Sequence, residues 1–141
     1  MPALTYYCFH CYGKNDRPAG PCAHCGRPIE APSDASYADL LNWALHHPLP
    51  DVATRAAAIL GQRREPSAVS VLQELACQDH DPFLAAQALR SLIAIQPSEV
   101  VRPLLERLAV AGSVPVRAVA QRALRAERRA REGCERDDTA S

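Results

Sequence analysis

The feature that most constrains the fold of this chain is a self-similarity with a period of 32 residues. Two sets of apolar and small residues recur in register: Val52, Leu84 and Val116 with Ala56, Ala88, Ala120 and Leu60, Leu92, Leu124; and Tyr37, Val69 and Val101 with Leu40, Leu72, Leu104 and Ala44, Ala76, Leu108. A unit of this length cannot bury its apolar side chains alone, so neighbouring units have to stack. Two sets at one period indicate two helices in each repeat.

Each set also has the spacing of an amphipathic helix. Val52, Ala56 and Ile59 in one helix, like Val101 and Leu108 in another, fall three to four residues from the next apolar position. This spacing places the apolar side chains along one face of a helix. We therefore expect a mainly α fold, a short α-solenoid, with helices near 36–47, 51–62, 66–78, 82–95, 98–111 and 115–132.

Polar residues, glycines and prolines mark the ends of these helices. Ser33, Asp81 and Ser113 lie where capping side chains are expected. Glycines at 61 and 112 follow helical runs, as glycines at helix ends do. Pro103 falls in the second turn of its predicted helix, and we expect it to kink that helix or delay its start.

One repeat carries an apolar residue and an arginine, then an alanine three residues after the arginine and a leucine four residues later: Val116, Arg117, Ala120 and Leu124. With Asp81-Pro82 at the start of another repeat, this pattern resembles the HEAT-like repeats of the bacterial phycobilin-lyase type. The resemblance covers about residues 37–126 and implies short helix pairs stacked into a right-handed solenoid. Ala53 and Ala85 occupy the arginine position in the other two repeats, so no ladder of arginines is implied.

Four cysteines form two C-x2-C pairs near the N-terminus: Cys8, Cys11, Cys22 and Cys25. Each pair can direct two thiolates at one centre, and two pairs complete a tetrahedral shell of four sulfurs. The ten residues between the pairs are rich in types that favour chain reversal, so a hairpin-like loop should bring the pairs together. This spacing predicts a structural Zn2+ site. Two disulfides, an iron site, a redox-active pair and replacement of a thiolate by His10 or His24 are the alternatives.

The two cysteine turns read Cys8-Phe9-His10-Cys11-Tyr12-Gly13 and Cys22-Ala23-His24-Cys25-Gly26, and they resemble the knuckles of the zinc-ribbon family over about residues 5–30. That resemblance implies zinc and leaves the partner open, since zinc ribbons bind proteins, DNA or RNA. Tyr12 stands where the second knuckle has Gly26, which is a departure from the usual pattern. The nearby aromatic residues are interpreted as a miniature core, with a stacking platform for bases as the alternative.

The charges are distributed unevenly although the formal net charge is zero. Residues 117–131 of the last predicted helix carry six arginines against one glutamate, and the charged residues from Glu132 onward are mostly acidic. A basic helix favours nucleic-acid binding, whereas a solvated end helix next to an acidic tail does not. We expect three parts: a zinc ribbon at 1–32, HEAT-like helical repeats at 33–132 and a disordered acidic tail at 133–141.

These observations together predict a zinc-binding adaptor or regulatory subunit that binds another protein. The alternative is a nucleic-acid-associated factor that uses the ribbon and the arginine-rich last helix. We found no nucleophile with a base partner and no phosphate-binding loop, so we expect no enzyme activity. The chain has no apolar run near the roughly 20 residues of a membrane span, and we expect it in the cytoplasm. Val119, Ala123 and Ala126 widen the apolar surface of the last helix, which predicts an open end for self-association or partner docking.

Overall fold

The computed structural model of the chain describes residues 3–139. A small N-terminal module contains two short antiparallel strands, β1 (Tyr6–Tyr7) and β2 (Lys14–Asn15). Six helices follow: α1 (Tyr37–Ala44), α2 (Pro50–Gln62), α3 (Val69–Cys77), α4 (Pro82–Ile95), α5 (Ser98–Ala111) and α6 (Val114–Thr139). A single 3-10 turn, Pro66–Ala68, precedes α3. The expectation of a mainly α fold is confirmed.

The helices pair as the 32-residue period predicts, and the pairs stack into two layers. The first helices of the repeats, α1, α3 and α5, each pack against the second helix of their own repeat, α2, α4 and α6. The second helices pack directly on one another, with α4 between α2 and α6. One continuous core runs through the stack and includes Leu45, Leu60, Leu72, Leu89 and Val116, all less than or about 2% exposed. Among residues 3–139 the structure has no helix with the length and apolar composition of a membrane span.

The structure confirms one of the three predicted N-caps. The Asp81 side chain accepts a hydrogen bond from the Leu84 backbone N–H at 3.0 Å, as predicted for an N-cap. Helix α1 instead begins after Ser36, which forms a reciprocal capping box with Asp39, so the prediction of Ser33 was wrong by three residues. The buried Ser113 hydroxyl has no hydrogen-bond partner and does not cap α6.

Two helices continue where the sequence predicted a break. Helix α5 begins at Ser98 and runs through Pro103, so the proline does not delay the helix start. The Pro103 side chain lies on the exposed side of the helix. Helix α6 reaches Thr139, and this corrects the expected disordered tail at 133–141 for the described residues 133–139. Adding residues to an existing helix needs no new nucleation, and Glu135 and Arg136 within this segment favour helix. Residues 140 and 141 lie outside the described part of the chain.

Gly61 is a point of close helix packing and not the helix-end residue that the sequence predicted. It is buried inside α2, where a Cβ atom would lie 2.7 Å from Ser91 Cβ and 2.8 Å from Ser91 Cα. The Ser91 hydroxyl donates a hydrogen bond of 2.6 Å to the Ala57 carbonyl at the same contact. Helices α2 and α4 therefore meet almost backbone to backbone.

We expect Gly61→Ala to destabilise the protein by about 1–3 kcal/mol, because the added methyl group must push α2 away from α4. This cost exceeds the roughly 1 kcal/mol that alanine gains over glycine in a helix. The matched control is Gly133→Ala in α6, where an added Cβ meets nothing within 4 Å. Urea unfolding should show a lower midpoint for the first variant and an unchanged or slightly higher midpoint for the second. Equal midpoints for both variants would contradict the close contact.

Candidate metal centre

The two cysteine turns have the same backbone conformation. The Tyr12 N–H donates to the Cys8 carbonyl at 2.9 Å, and the Gly26 N–H donates to the Cys22 carbonyl at 3.0 Å. Both donors have positive φ, 59° at Tyr12 and 75° at Gly26. The left-handed region suits glycine but costs a residue with a Cβ roughly 1–2 kcal/mol. The first knuckle therefore keeps the geometry of the second despite its departure in sequence.

The turns bring all four cysteine sulfurs together. Cys8 Sγ lies 3.7 Å from Cys25 Sγ, and Cys11 Sγ lies 3.7 Å from Cys22 Sγ, so each close pair joins the two knuckles. All four sulfurs lie within 4.8 Å of one another. A tetrahedral ion with metal–sulfur bonds of about 2.3 Å requires sulfurs roughly 3.8 Å apart. The cluster thus has the dimensions to hold one metal ion.

Backbone amides point at the sulfurs and favour their thiolate forms. The N–H of His10 donates to Cys8 Sγ at 3.3 Å, and the N–H of His24 donates to Cys22 Sγ at 3.3 Å. Such outer hydrogen bonds stabilise negative charge on sulfur and fix the direction of the side chains.

Asn15 is a supporting residue that the sequence did not reveal. Its side chain is 8% exposed. The side-chain amide donates to Cys22 Sγ at 3.4 Å, and its carbonyl oxygen accepts from the Ala23 N–H at 3.0 Å. It therefore ties strand β2 to the second knuckle. In the sequence, Asn15 is one of several turn-forming residues between the two cysteine pairs, where asparagine is common, so nothing distinguished it.

The Cys11 and Cys22 thiols differ in acidity. Burial opposes ionisation of Cys22, but hydrogen bonds from the His24 backbone and the Asn15 side chain outweigh it and lower the pKa of Cys22 to about 6. At Cys11 the Gly13 N–H favours the thiolate, but burial and the neighbouring sulfurs outweigh it and raise the pKa to about 12. Four thiolates so close together repel one another, so a cation at the centre is needed to hold all four ionised.

The histidines of the knuckles lie outside this donor set. His24 Nε2 is 2.9 Å from the Lys14 carbonyl oxygen, and the ring covers Gly13. His10 is exposed and stacks edge-on against Phe9, with ring centroids 5.6 Å apart. Within residues 3–139 the four cysteines form the one group of three or more His, Cys, Asp or Glu side chains placed to share an ion. His46, His47 and His80 do not form a second such group.

Aromatic residues join the N-terminal module to helix α1. The rings of Phe9 and Tyr12 stack on Trp43 with centroids 5.7 Å and 5.2 Å away, and the Tyr7 ring meets His47 edge-on at 4.5 Å. The Tyr12 hydroxyl donates a hydrogen bond of 2.7 Å to the Trp43 backbone carbonyl. We name these five residues the aromatic bridge. Burial lowers the pKa of His47, which favours the neutral form of this ring.

The aromatic bridge changes the interpretation of the aromatic residues. Tyr6 packs beside Cys8, Cys22 and Ile29 and belongs to the miniature core. Phe9 and Tyr12 instead contact α1, and Tyr7 contacts His47 just after it, so ring surface that a stacking platform would offer to bases is used inside the protein. Stacking on Trp43 also offsets the cost of positive φ at Tyr12, since aromatic pairs contribute about 0.5–1.5 kcal/mol beyond burial.

The long helix α6 exposes much of its positive charge. Arg122, Arg125 and Arg129 follow one another by about one helical turn and line a surface hollow of about 390 Å³ with Gln121. On another side of α6, Glu127 forms ion pairs with Arg102 of α5 and Arg131. Val119 is 8% exposed and belongs to the continuous core, so it is not part of the exposed surface of this helix.

Comparison with known proteins gives one match. The family model described as HEAT repeats matches residues 37–125, which spans all of α1 to α5 and the first half of α6. No curated protein and no solved structure matches the chain.

Proposed function

Because the chain belongs to the HEAT-repeat family, we propose that it works as a protein–protein interaction adaptor or regulatory subunit with one zinc ion in its N-terminal module. The observation that carries this proposal is the two-layer stack of helices. Stacked helical repeats present extended surfaces that bind partner proteins. The aromatic bridge adds the N-terminal module to this stack as a second contact surface in a fixed position.

Zinc is the proposed ion because of the chemistry of the donor set. Four thiolates at tetrahedral spacing match a closed structural zinc site. A multi-iron cluster would hold its cysteine sulfurs farther apart, because the cluster itself has to fit between them. With all four positions taken by Cys8, Cys11, Cys22 and Cys25, the ion has no open position for a substrate. Its contribution is therefore to hold together a module of about thirty residues that is too small to fold on its own core.

The exposed arginines of α6 support a second candidate function, association with nucleic acid. Arg122, Arg125 and Arg129 could neutralise phosphates along one side of the helix. The acidic residues that follow on the same helix, among them Glu132 and Asp138, weaken this field. The rings of Tyr7, Phe9 and Tyr12, which a base-stacking surface would need, are used in the aromatic bridge. These two facts favour the protein partner.

Capture from a native lysate tests the two candidates together. The tagged full-length protein should retain a partner protein in near-equal amount, and nuclease treatment should leave that complex intact. Retention of nucleic acid that falls steeply with salt, without any protein partner, would instead support the second candidate. The matched variant replaces Arg122, Arg125 and Arg129 with glutamine, which should abolish nucleic-acid binding and leave a protein partner bound.

A further inference from the structure

The internal repeat shows which faces of the second helices are normally covered. A residue in α2 is equivalent to the residue 32 positions later in α4 and 64 positions later in α6. Ser91 of α4 contacts Ala57 and Gly61 of α2 directly. The neighbouring residues on α4, Leu84 and Ala88, are 6% and 0% exposed. This face of α4 is thus covered by the preceding second helix.

Helix α6 repeats the arrangement. Its equivalent residues Val116 and Ala120 are 2% and 0% exposed, and α6 packs against α4. In two of the three repeats, therefore, the same face of the second helix is covered by a helix from the repeat before it.

The equivalent face of α2 lacks that cover. We name Val52, Ala56 and Ile59 the first-repeat face, since they correspond to Leu84, Ala88 and Ser91. Val52 and Ile59 are partly exposed, whereas Ala56 between them is 3% exposed. All three line an apolar hollow of about 240 Å³ between α1 and α2. Helix α1 borders this face, but within residues 3–139 no second helix from an earlier repeat covers it. The aromatic bridge holds the N-terminal module against Trp43 and His47.

Apolar side chains of helix α1, in the same repeat, are also exposed. Leu40 is 38% exposed, whereas its equivalent in the second repeat, Leu72, is fully buried. Tyr37 is 52% exposed, whereas Val101, its equivalent in the third repeat, is 4% exposed. The apolar pattern of the first repeat is therefore the same as in the others, but these side chains of the first repeat are more exposed than their equivalents.

The other end of the stack differs in chemistry. The positions through which α2 covers α4 are Ala53, Ala57 and Gly61, and their equivalents on α6 are Arg117, Gln121 and Arg125, all exposed. Packing these two arginines against the apolar first-repeat face of another copy would remove two positive charges from water, and the hollow is lined by a single carboxylate, Asp51. Head-to-tail stacking of two copies is thus unfavourable, and the occupant has to be a different helix.

Resting on the proposed adaptor function, we propose that the first-repeat face docks an amphipathic helix of the protein partner in the way that α2 docks on α4. The partner helix carries small or aliphatic residues at positions i, i+4 and i+8, beginning with a small one. The two covering helices show this pattern: Ala53, Ala57 and Gly61 in α2, and Ala85, Leu89 and Ile93 in α4. Asp51 and Arg55 border the hollow and can pair with charges beside that stripe.

A peptide copied from the chain itself tests the proposal. The probe is a fluorescent peptide with the sequence of residues 49–64, which carries the Ala53, Ala57 and Gly61 stripe, and its binding to the full-length protein is measured by anisotropy. Ile59→Glu should weaken binding at least about tenfold, because the carboxylate would be desolvated against an apolar helix. The matched control, Arg125→Glu on the opposite end, should bind within about twofold of the wild type because it lies outside the contact. A probe with Ala57→Glu should not bind.

Several outcomes would overturn the proposal. The first is that the probe does not bind at millimolar protein, and the second is that Ile59→Glu binds the probe as well as the wild type does. The third is a wild-type dimer that Ile59→Glu makes monomeric, because a second copy of the chain would then occupy the face. Circular dichroism checks that the variants fold, and Ile59→Ala replaces Ile59→Glu if the latter does not. If the probe fails but wild type and Ile59→Ala capture the same partner from lysate, the adaptor function stands and only this docking face is wrong. If no protein partner is captured at all, the adaptor function itself fails.

Discussion

Aspartate in place of Val119 is expected to unfold the C-terminal repeat. Val119 is 8% exposed and belongs to the continuous core, although it is on the helix that carries seven of the fifteen arginines. Placing an unpaired carboxylate there costs several kcal/mol, and a domain of this kind has only about 5–15 kcal/mol of stability in total. Thermal unfolding followed by circular dichroism should show a much lower midpoint and a loss of helical signal at 25 °C.

Ala126→Asp is the matched control for this substitution. Ala126 is on the same helix two turns later and is exposed, so the same carboxylate remains in water. Its effect should stay near the 0.5 kcal/mol that is usual for surface changes. If Val119→Asp instead kept the wild-type midpoint, Val119 would face solvent and the open end expected from the sequence would lie on α6.

Replacing Cys22 with serine is expected to remove the metal and unfold the N-terminal module. We expect the wild type to hold one zinc per chain, and the variant to hold less than about half an equivalent, because structural zinc contributes roughly 10–16 kcal/mol to folding of such modules. Most of the helical signal should persist, since the helices share a separate core. Metal analysis by mass spectrometry and far-ultraviolet circular dichroism measure the two effects.

Cys134→Ser provides the control, since Cys134 is an exposed thiol on α6 outside the cluster. This variant should keep a full equivalent of zinc. An iron absorption band in the wild type, or zinc retained by Cys22→Ser, would contradict the proposed zinc site. Complete loss of helical signal in Cys22→Ser would show that the module and the helices unfold as one unit.

The sequence predicted the helices well because two periodicities agreed. The 3.6-residue spacing located each helix, and the 32-residue period paired them, so the HEAT-like repeats and the mainly α fold are confirmed. Helix ends were less certain, as at Ser36, because several serines near a helix start can serve as caps. Residues 133–139 were misjudged from their charge, since a polar segment can extend a helix that packing has already formed.

Side-chain neighbours were harder to predict than helices. The sequence predicts Val119 on an exposed apolar surface, because a sequence does not show how many helices pack against a given helix. In the structure α6 packs against both α4 and α5, and Val119 is buried. The four cysteines were evident from their spacing, and the structure brings their sulfurs together. Asn15 and Trp43 were missed as supports, because their contacts join segments whose relative positions no local pattern specifies.

The aromatic bridge gives the protein an internal optical reporter. The chain has a single tryptophan, Trp43, and it lies under the rings of two knuckle residues, Phe9 and Tyr12. Its emission therefore depends on whether the cysteine module is folded against the helices. Loss of the metal would expose the indole to water and shift its fluorescence to longer wavelength, while the helices remained intact. The state of the N-terminal module can thus be followed in the unlabelled protein, separately from that of the repeats.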